Sequence, residues 1–214
     1  MTKKIIAVDL DGTLLNNESK LSDFTKETIK KISEKGHHVI ITTGRPYRMA
    51  KDFYRELELH TPMINFNGSL THLPGQTWEH EKCLTLDKKY LLDMVKRTED
   101  IQADFIAGEY RKKFYITTPN EEIADPKLFG VENFRPENQF KPERVTKDPN
   151  CILLQTRAED KYALADEMNR FYQHQLAINT WGGPLNILEC TPKGVNKAFA
   201  LEYLLNVMNR DKKD

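Results

Sequence analysis

Residues 5–15 read IIAVDLDGTLL. Together with Lys4, the apolar and β-branched run up to Val8 predicts a short, buried parallel strand. The run stops abruptly at DLDGT, where Gly12 permits a tight turn. Asp9 and Asp11 thus stand at the carboxyl end of that strand, where open α/β sheets bind their ligands. Side chains two apart on an extended backbone point the same way, so both carboxylates can face one site unless the turn at Gly12 re-aims Asp11. Two carboxylates this close repel unless a cation lies between them or one is protonated. A hard divalent ion is the simplest solution, and magnesium fits best beside a phosphate. The amides after Asp11 can cradle phosphate oxygens, since Gly12 presents no side chain. Asp-Gly is also an ordinary turn between strand and helix. Taken alone, the motif leaves both readings open.

Working outward, SDFTKETIKKISEK (22–35) carries apolar residues at Phe24, Ile29 and Ile32 and predicts an amphipathic helix that Gly36 stops. HVIITT (38–43) predicts a second buried strand, GRPYRMAKDFYRELE a second helix with Pro46 near its first turn, and PMINFN (62–67) a third strand. Strand–helix–strand–helix–strand is the pattern of a parallel sheet covered by helices on both faces.

The pattern changes after Asn67-Gly68. SLTHLPGQTWEHEKCLT predicts a hairpin turning at Pro74-Gly75. Beyond it come a helix over 88–100, strands around ADFIAG and KKFYITTP, and a loop-rich stretch from about 119 to 149. A strand over 150–157, a helix over 160–173 and two more strands at QLAINTW and LNILEC follow. These mixed elements predict a small α+β domain inserted into the first, and GVNKAFALEYLLNVM returns as a helix. The expected fold class is α/β, a Rossmann-like parallel-sheet core spanning 1–82 and 190–214, with an inserted domain over 83–189.

Composition excludes several partners. Lys+Arg and Asp+Glu are both 32 among 214 residues, so the net charge is zero. No long-range attraction toward nucleic acid or a membrane surface follows from it, and no basic-aromatic cluster is present. No apolar run approaches the roughly 20 residues needed to cross a bilayer. The start MTKKIIAVDLDG has too short an apolar run for a secretory signal, which predicts a cytoplasmic protein. Cys83, Cys151 and Cys190 lie far apart and outside metal-ligand spacing, as reduced thiols do.

IIAVDLDGTLL resembles the first motif of phosphatases of the haloacid dehalogenase superfamily, and ITTGRP (41–46) resembles their second. The resemblance covers essentially the whole chain. It implies that Asp9 attacks phosphorus and carries an aspartyl-phosphate, and that Asp11 protonates the leaving oxygen and then activates water. It further implies magnesium on the Asp9 carboxylate and the Asp11 backbone carbonyl, and a phosphoryl oxygen held by Thr43. GVNKAFAL (194–201) resembles the third motif, in which a lysine near a helix start neutralises the nucleophile and the transferring group. Gly194 and the apolar helix that follows select Lys197 over Lys193 for that part. Gly12 and Gly44 are implied on the phosphate side of the site. Arg45 either binds a second anionic group or pairs with a carboxylate at the domain boundary, and Asn67-Gly68 either lines the substrate pocket or supplies a positive-φ turn.

TTGRPYR, INFNG and TWGGPLNILEC look like the Cof-type branch, whose large type IIB α/β cap closes over the site, excludes water and chooses the substrate. Trp181 is expected to pack rather than reach a pocket. The implied substrates are sugar phosphates, nucleotides or phosphorylated cofactor precursors, and the likeness is nearest to members acting on a riboflavin precursor. The family's final Gly-Asp-x-x-Asn-Asp motif has no match: the chain ends MNRDKKD, where Asp211 and Asp214 sit on a charged tail. In the family's strand order the DLDGT strand is central, and without the later strands it becomes an exposed edge. The sequence therefore reads as a truncated form. A phosphomutase and a non-catalytic phosphate-ester-binding protein are the alternatives. A C–halogen dehalogenase fits less well, since Asp11 and the phosphate-cradling glycine suit phosphoryl transfer. Oligomeric state is not legible.

Overall fold

The computed structural model describes residues 3–173 and 175–213; Asp214 of the tail lies outside them. The chain divides into two compact units, residues 1–83 with 195–214, and residues 84–194. Residues 190–194, expected with the core, belong instead to the second unit, because the last strand of that unit runs to Pro192 and is paired there.

In the first unit β1 (Ile5–Val8) pairs in parallel with β2 (His38–Ile41), Ile5 opposite His38 and Val8 opposite Ile41. A parallel bridge from Thr42 to Ile64 ties β2 to β3 (Met63–Asn65). From β3 the direction reverses through β4 (Leu70–His72) and β5 (Lys82–Cys83), both antiparallel. Pro74 and Gly75 lie in the β4–β5 connection, as the hairpin reading requires. Among the described residues β1 pairs with β2 alone, and none of its residues is buried as the apolar run predicts: Ile5, Ile6 and Val8 are half-buried and Ala7 is exposed.

Alternation along β2 decides which helix covers which face. Val39 and Ile41 pack with Ile29 of α1 (Asp23–Glu34) and with Ala50 and Tyr54 of α2 (Tyr47–Glu56). Ile40, pointing the other way, packs with Ile64 and with two buried residues, Ala200 and Leu204, of a helix running Lys197–Val207. Helix α1 starts where Ser22 accepts from the Thr25 amide at 3.1 Å. Tyr54 donates to the Thr61 carbonyl at 2.8 Å, and burial pushes its hydroxyl up to about 12.

The second unit is a five-stranded antiparallel sheet. Its strands are β6 (Ala103–Glu109), β7 (Phe114–Ile116), β8 (Cys151–Thr156), β9 (Leu176–Thr180) and β10 (Ile187–Pro192), in the order β7-β6-β8-β10-β9. Helices α3 (Lys88–Lys96) and α4 (Lys161–Phe171) bury Leu91, Met94, Leu164 and Met168 against Ile106, Ile152, Leu154 and Leu188 of the sheet. The stretch from 119 to 149 contains three single-turn helices, each opened by a proline. The helix Lys197–Val207 is α5. No helix among the described residues is long and apolar enough to cross a membrane.

Lys161 is buried at the first position of α4, where a cation meets the unfavourable end of the helix dipole. Its ammonium donates to three carbonyls, Trp181 at 2.9 Å, Gly183 at 3.0 Å and Leu185 at 2.8 Å, which uses all three of its protons. The β9–β10 turn is thereby tied to α4.

Candidate active site

Every residue singled out for the site lies in the first unit. After β1 the chain makes a wide turn over 10–14, with the Leu15 amide donating back to the Leu10 carbonyl at 2.9 Å. Asp11 is extended (φ −72°, ψ 125°), and Gly12 takes φ 69°, a conformation glycine adopts without strain. No atom lies within 4 Å of where a Gly12 Cβ would stand, so the turn's backbone is open to approach.

Asp9 is held on both oxygens. Oδ1 accepts from the Leu10 amide at 2.8 Å, and Oδ2 accepts from Lys197 Nζ at 2.6 Å. Lys197 is the first residue of α5, set there by Asn196, whose side chain accepts from the Phe199 amide at 2.9 Å. Both partners of the Asp9–Lys197 pair are about a third exposed, so its stability contribution is small and its meaning is positional.

Asp11 meets a different cation. Arg45 Nε donates to Oδ2 at 2.8 Å and Nη2 to Oδ1 at 2.5 Å, a two-pronged guanidinium–carboxylate pair. Arg45 also lies 5.6 Å from the centre of the Phe53 ring. The carboxylate that Arg45 pairs with in this structure is Asp11. Thr43, fully buried at the end of β2, accepts the Arg45 amide on Oγ1 at 3.1 Å. Its main chain joins β3 and the loop after it, donating to the Ile64 carbonyl at 2.9 Å and accepting from the Asn67 amide at 3.1 Å.

Asn67 and Gly68 both take positive φ, 51° and 113°. A Cβ on Gly68 would stand 2.4 Å from the Asn196 carbonyl oxygen, so the loop passes directly against the residue that caps the Lys197 helix. A Cβ on Gly44 would stand 3.1 Å from the Asn67 amide. Gly44 and Gly68 therefore allow the loops after β2 and β3 to close on each other and on α5.

Two residues of this cluster went unread in the sequence. Asn65 and His72, both fully buried, lie under Arg45, and Asn65 donates to the Arg45 carbonyl at 2.9 Å. Polar residues at the ends of two buried strands were the only signal.

The Asp9 carboxylate and the Asp11 backbone carbonyl are hard oxygens of the kind magnesium takes. That ion keeps several waters and needs only one or two protein carboxylates, so the donor set fits it. No group of three or more His, Cys, Asp or Glu that could hold a metal gathers among the described residues.

The family described as haloacid dehalogenase-like hydrolase matches residues 6–214. The chain is 30% identical over 205 residues to 5-amino-6-(5-phospho-D-ribitylamino)uracil phosphatase YitU of Bacillus subtilis, covering 94% of this chain and 73% of that protein. It is 42% identical over 205 residues to a putative phosphatase of Buchnera aphidicola, covering 95% and 74%. A haloacid dehalogenase-like hydrolase from Bacteroides thetaiotaomicron shares the fold, with a TM-score of 0.78 at 19% identity over 98% of this chain and 78% of that one. The chain belongs to the haloacid dehalogenase-like hydrolase family, and its place there is among the phosphatases.

Proposed function

We propose that this chain hydrolyses small phosphate monoesters by transferring the phosphoryl group to Asp9 and then to water. The observation that carries the reading is the meeting of Asp9, at the end of β1, with Lys197, at the start of α5.

In this reading an Asp9 oxygen forms the new bond to phosphorus while the ester oxygen leaves with the bonding pair. Asp11 gives that oxygen its proton. The same carboxylate then takes a proton from the water that attacks the aspartyl-phosphate, and inorganic phosphate departs with Asp9 restored. Lys197 neutralises charge on Asp9 and on the transferring group, and the Thr43 hydroxyl holds a phosphoryl oxygen. The amides around Gly12 and Gly44 border the phosphate, and Arg45, Asn67 and Gly68 contact the substrate. Once protonated, Asp11 keeps one oxygen on Arg45 and turns the other to the leaving oxygen, which frees part of the guanidinium for an anionic oxygen of the arriving ester. Magnesium would be held by the Asp9 carboxylate and the Asp11 backbone carbonyl, supplying positive charge beside the phosphate.

Residues 84–194 are the inserted cap of this reading, and the substrates are sugar phosphates, nucleotides or phosphorylated cofactor precursors. The name of the Bacillus subtilis relative, a phosphatase of a phosphorylated ribitylaminouracil, supports that class. We place the reaction in the cytoplasm, on a small phosphorylated metabolite rather than nucleic acid or a membrane. Zero net charge and the reduced, buried thiols of Cys151 and Cys190 support that placement.

The test is release of inorganic phosphate from p-nitrophenyl phosphate with magnesium titrated in. Release that requires magnesium and falls about 10²–10⁴-fold in Asp11→Asn is the expected result. Phosphate-ester binding without any release at any magnesium concentration overturns the reading.

A further inference from the structure

Beneath the loop that carries Arg45 lies a buried polar pair to which the chemistry above gives no task. Asn65 ends β3 and His72 ends β4, strands that pair antiparallel, and neither residue has measurable exposure. Asn65 Nδ2 is 2.9 Å from the Arg45 carbonyl oxygen, and Asn65 Oδ1 is 2.9 Å from His72 Nε2. A carbonyl oxygen can only accept, so the amide edge facing Arg45 is the NH2. The opposite edge is then an acceptor, and His72 must carry a proton on Nε2 to meet it. Tyr47, the first residue of α2, packs edge-on against the imidazole, with centroids 4.9 Å apart at 84°.

Arg45 is consequently gripped at both of its main-chain polar atoms. Its carbonyl accepts from Asn65 and, at 3.4 Å, from the Phe66 amide, while its own amide donates to Thr43 Oγ1. Its side chain then reaches Asp11 with two parallel hydrogen bonds. A continuous line of contacts runs from His72 through Asn65 and Arg45 to the Asp11 carboxylate. A buried amide and imidazole carry a desolvation penalty that apolar residues would avoid, and here the imidazole bonds the amide and the amide bonds one residue of the site.

We propose that Asn65 and His72 are positioning residues: they fix the backbone of Arg45 and thereby the direction in which Asp11 is presented to the leaving group. The proposal rests on the phosphatase reading for the role of Asp11, but its geometric half can be measured without turnover. In nitrogen-15 spectra the Arg45 Nε–H, bonded to Asp11, should give a resolved, slowly exchanging resonance, assigned by its loss in Arg45→Lys. His72→Leu removes the donor that orients Asn65. That variant should broaden or abolish the resonance and lower kcat on p-nitrophenyl phosphate about tenfold or more, with a smaller change in KM. His72→Gln, whose amide can still donate to Asn65, should restore both. A purely structural role would lower the melting temperature without this kcat-weighted loss or the rescue. If His72→Leu does not fold, Asn65→Ser, too short to span the gap, is read in its place. An unchanged Arg45 resonance and kcat in a cooperatively folded His72→Leu or Asn65→Ser would overturn the proposal. If instead Asp11→Asn retains full kcat, the acid–base reading falls, and the Arg45 resonance still decides the positioning.

Discussion

Lys197 and Asp9 lie 188 residues apart in sequence, yet the lysine ammonium donates to the aspartate carboxylate at 2.6 Å. The contact requires α5 to pack on the face of the sheet that carries Ile40 and Ile64, with its first turn directed at the end of β1. Two short interactions aim that turn, the Asn196 cap and the close passage of Gly68 beneath the Asn196 carbonyl.

Replacing Lys197 with Met should therefore lower kcat about 10²–10³-fold, the scale of losing one preorganised group that stabilises developing charge. Stability should move by no more than about 1 kcal/mol, since both partners are partly exposed. Steady-state kinetics and a urea titration on the same variant separate the two effects; a large fall in stability with kcat intact would remove Lys197 from the chemistry.

Gly68→Ala places a Cβ 2.4 Å from a backbone oxygen at φ 113°. It should destabilise the first unit by about 1–3 kcal/mol or more from strained backbone alone. Gly75→Ala is the control: φ there is 78°, but no atom lies within 4 Å of the new methyl, so only the backbone preference is felt, about 1 kcal/mol. Denaturant midpoints that rank these two the other way would contradict the packing of the loop after β3 on α5.

Lys161→Met leaves the carbonyls of Trp181, Gly183 and Leu185 without their shared donor. A loss of about 1–3 kcal/mol is expected for the charge-assisted hydrogen bonds removed. In a Trp78→Phe background the remaining indole, Trp181, reports the turn directly, and its emission should shift red and quench more readily with acrylamide. Unchanged emission would mean that the turn holds its shape without Lys161.

The cysteines give a pH-dependent expectation. Burial pushes the thiols of Cys151 and Cys190 well above their ordinary range, with Glu189 adding to the effect at both. Cys83 is exposed. A thiol reagent near pH 8 should therefore modify one cysteine quickly and the other two only on unfolding. Because the folded values are raised, the buried thiols stay protonated in the folded chain while the unfolded chain ionises them above about pH 8.5. Their contribution to stability is present below that pH and declines as pH rises through it. Three fast-reacting thiols at neutral pH would contradict the burial.

Much of this arrangement was legible because it is written in local sequence. KIIAV followed by DLDGT marks strand and turn, Ser22 and Gly36 bracket α1, and Asn67-Gly68 asks for the positive φ that both residues adopt. Lys197 was legible only through the resemblance of GVNKAFAL, since a lysine at a helix start otherwise reads as solvated. The pairing of Arg45 with Asp11 was left open because it depends on how two loops 34 residues apart close, which periodicity does not encode. Asn65, His72 and Lys161 were missed for the opposite reason. Each is a polar residue in an ordinary strand or helix pattern, and only burial among specific carbonyls and amides distinguishes it.

The most direct test of the central claim is to mix the chain with magnesium and a radiolabelled phosphate ester, quench with acid within a turnover, and map the label. The account predicts a phosphoryl group on the peptide containing Asp9, stable in acid, released by hydroxylamine and absent from Asp9→Asn, which should also lose phosphate release. Phosphate release that proceeds with no label on Asp9, or that persists near the original rate in Asp9→Asn, would contradict it.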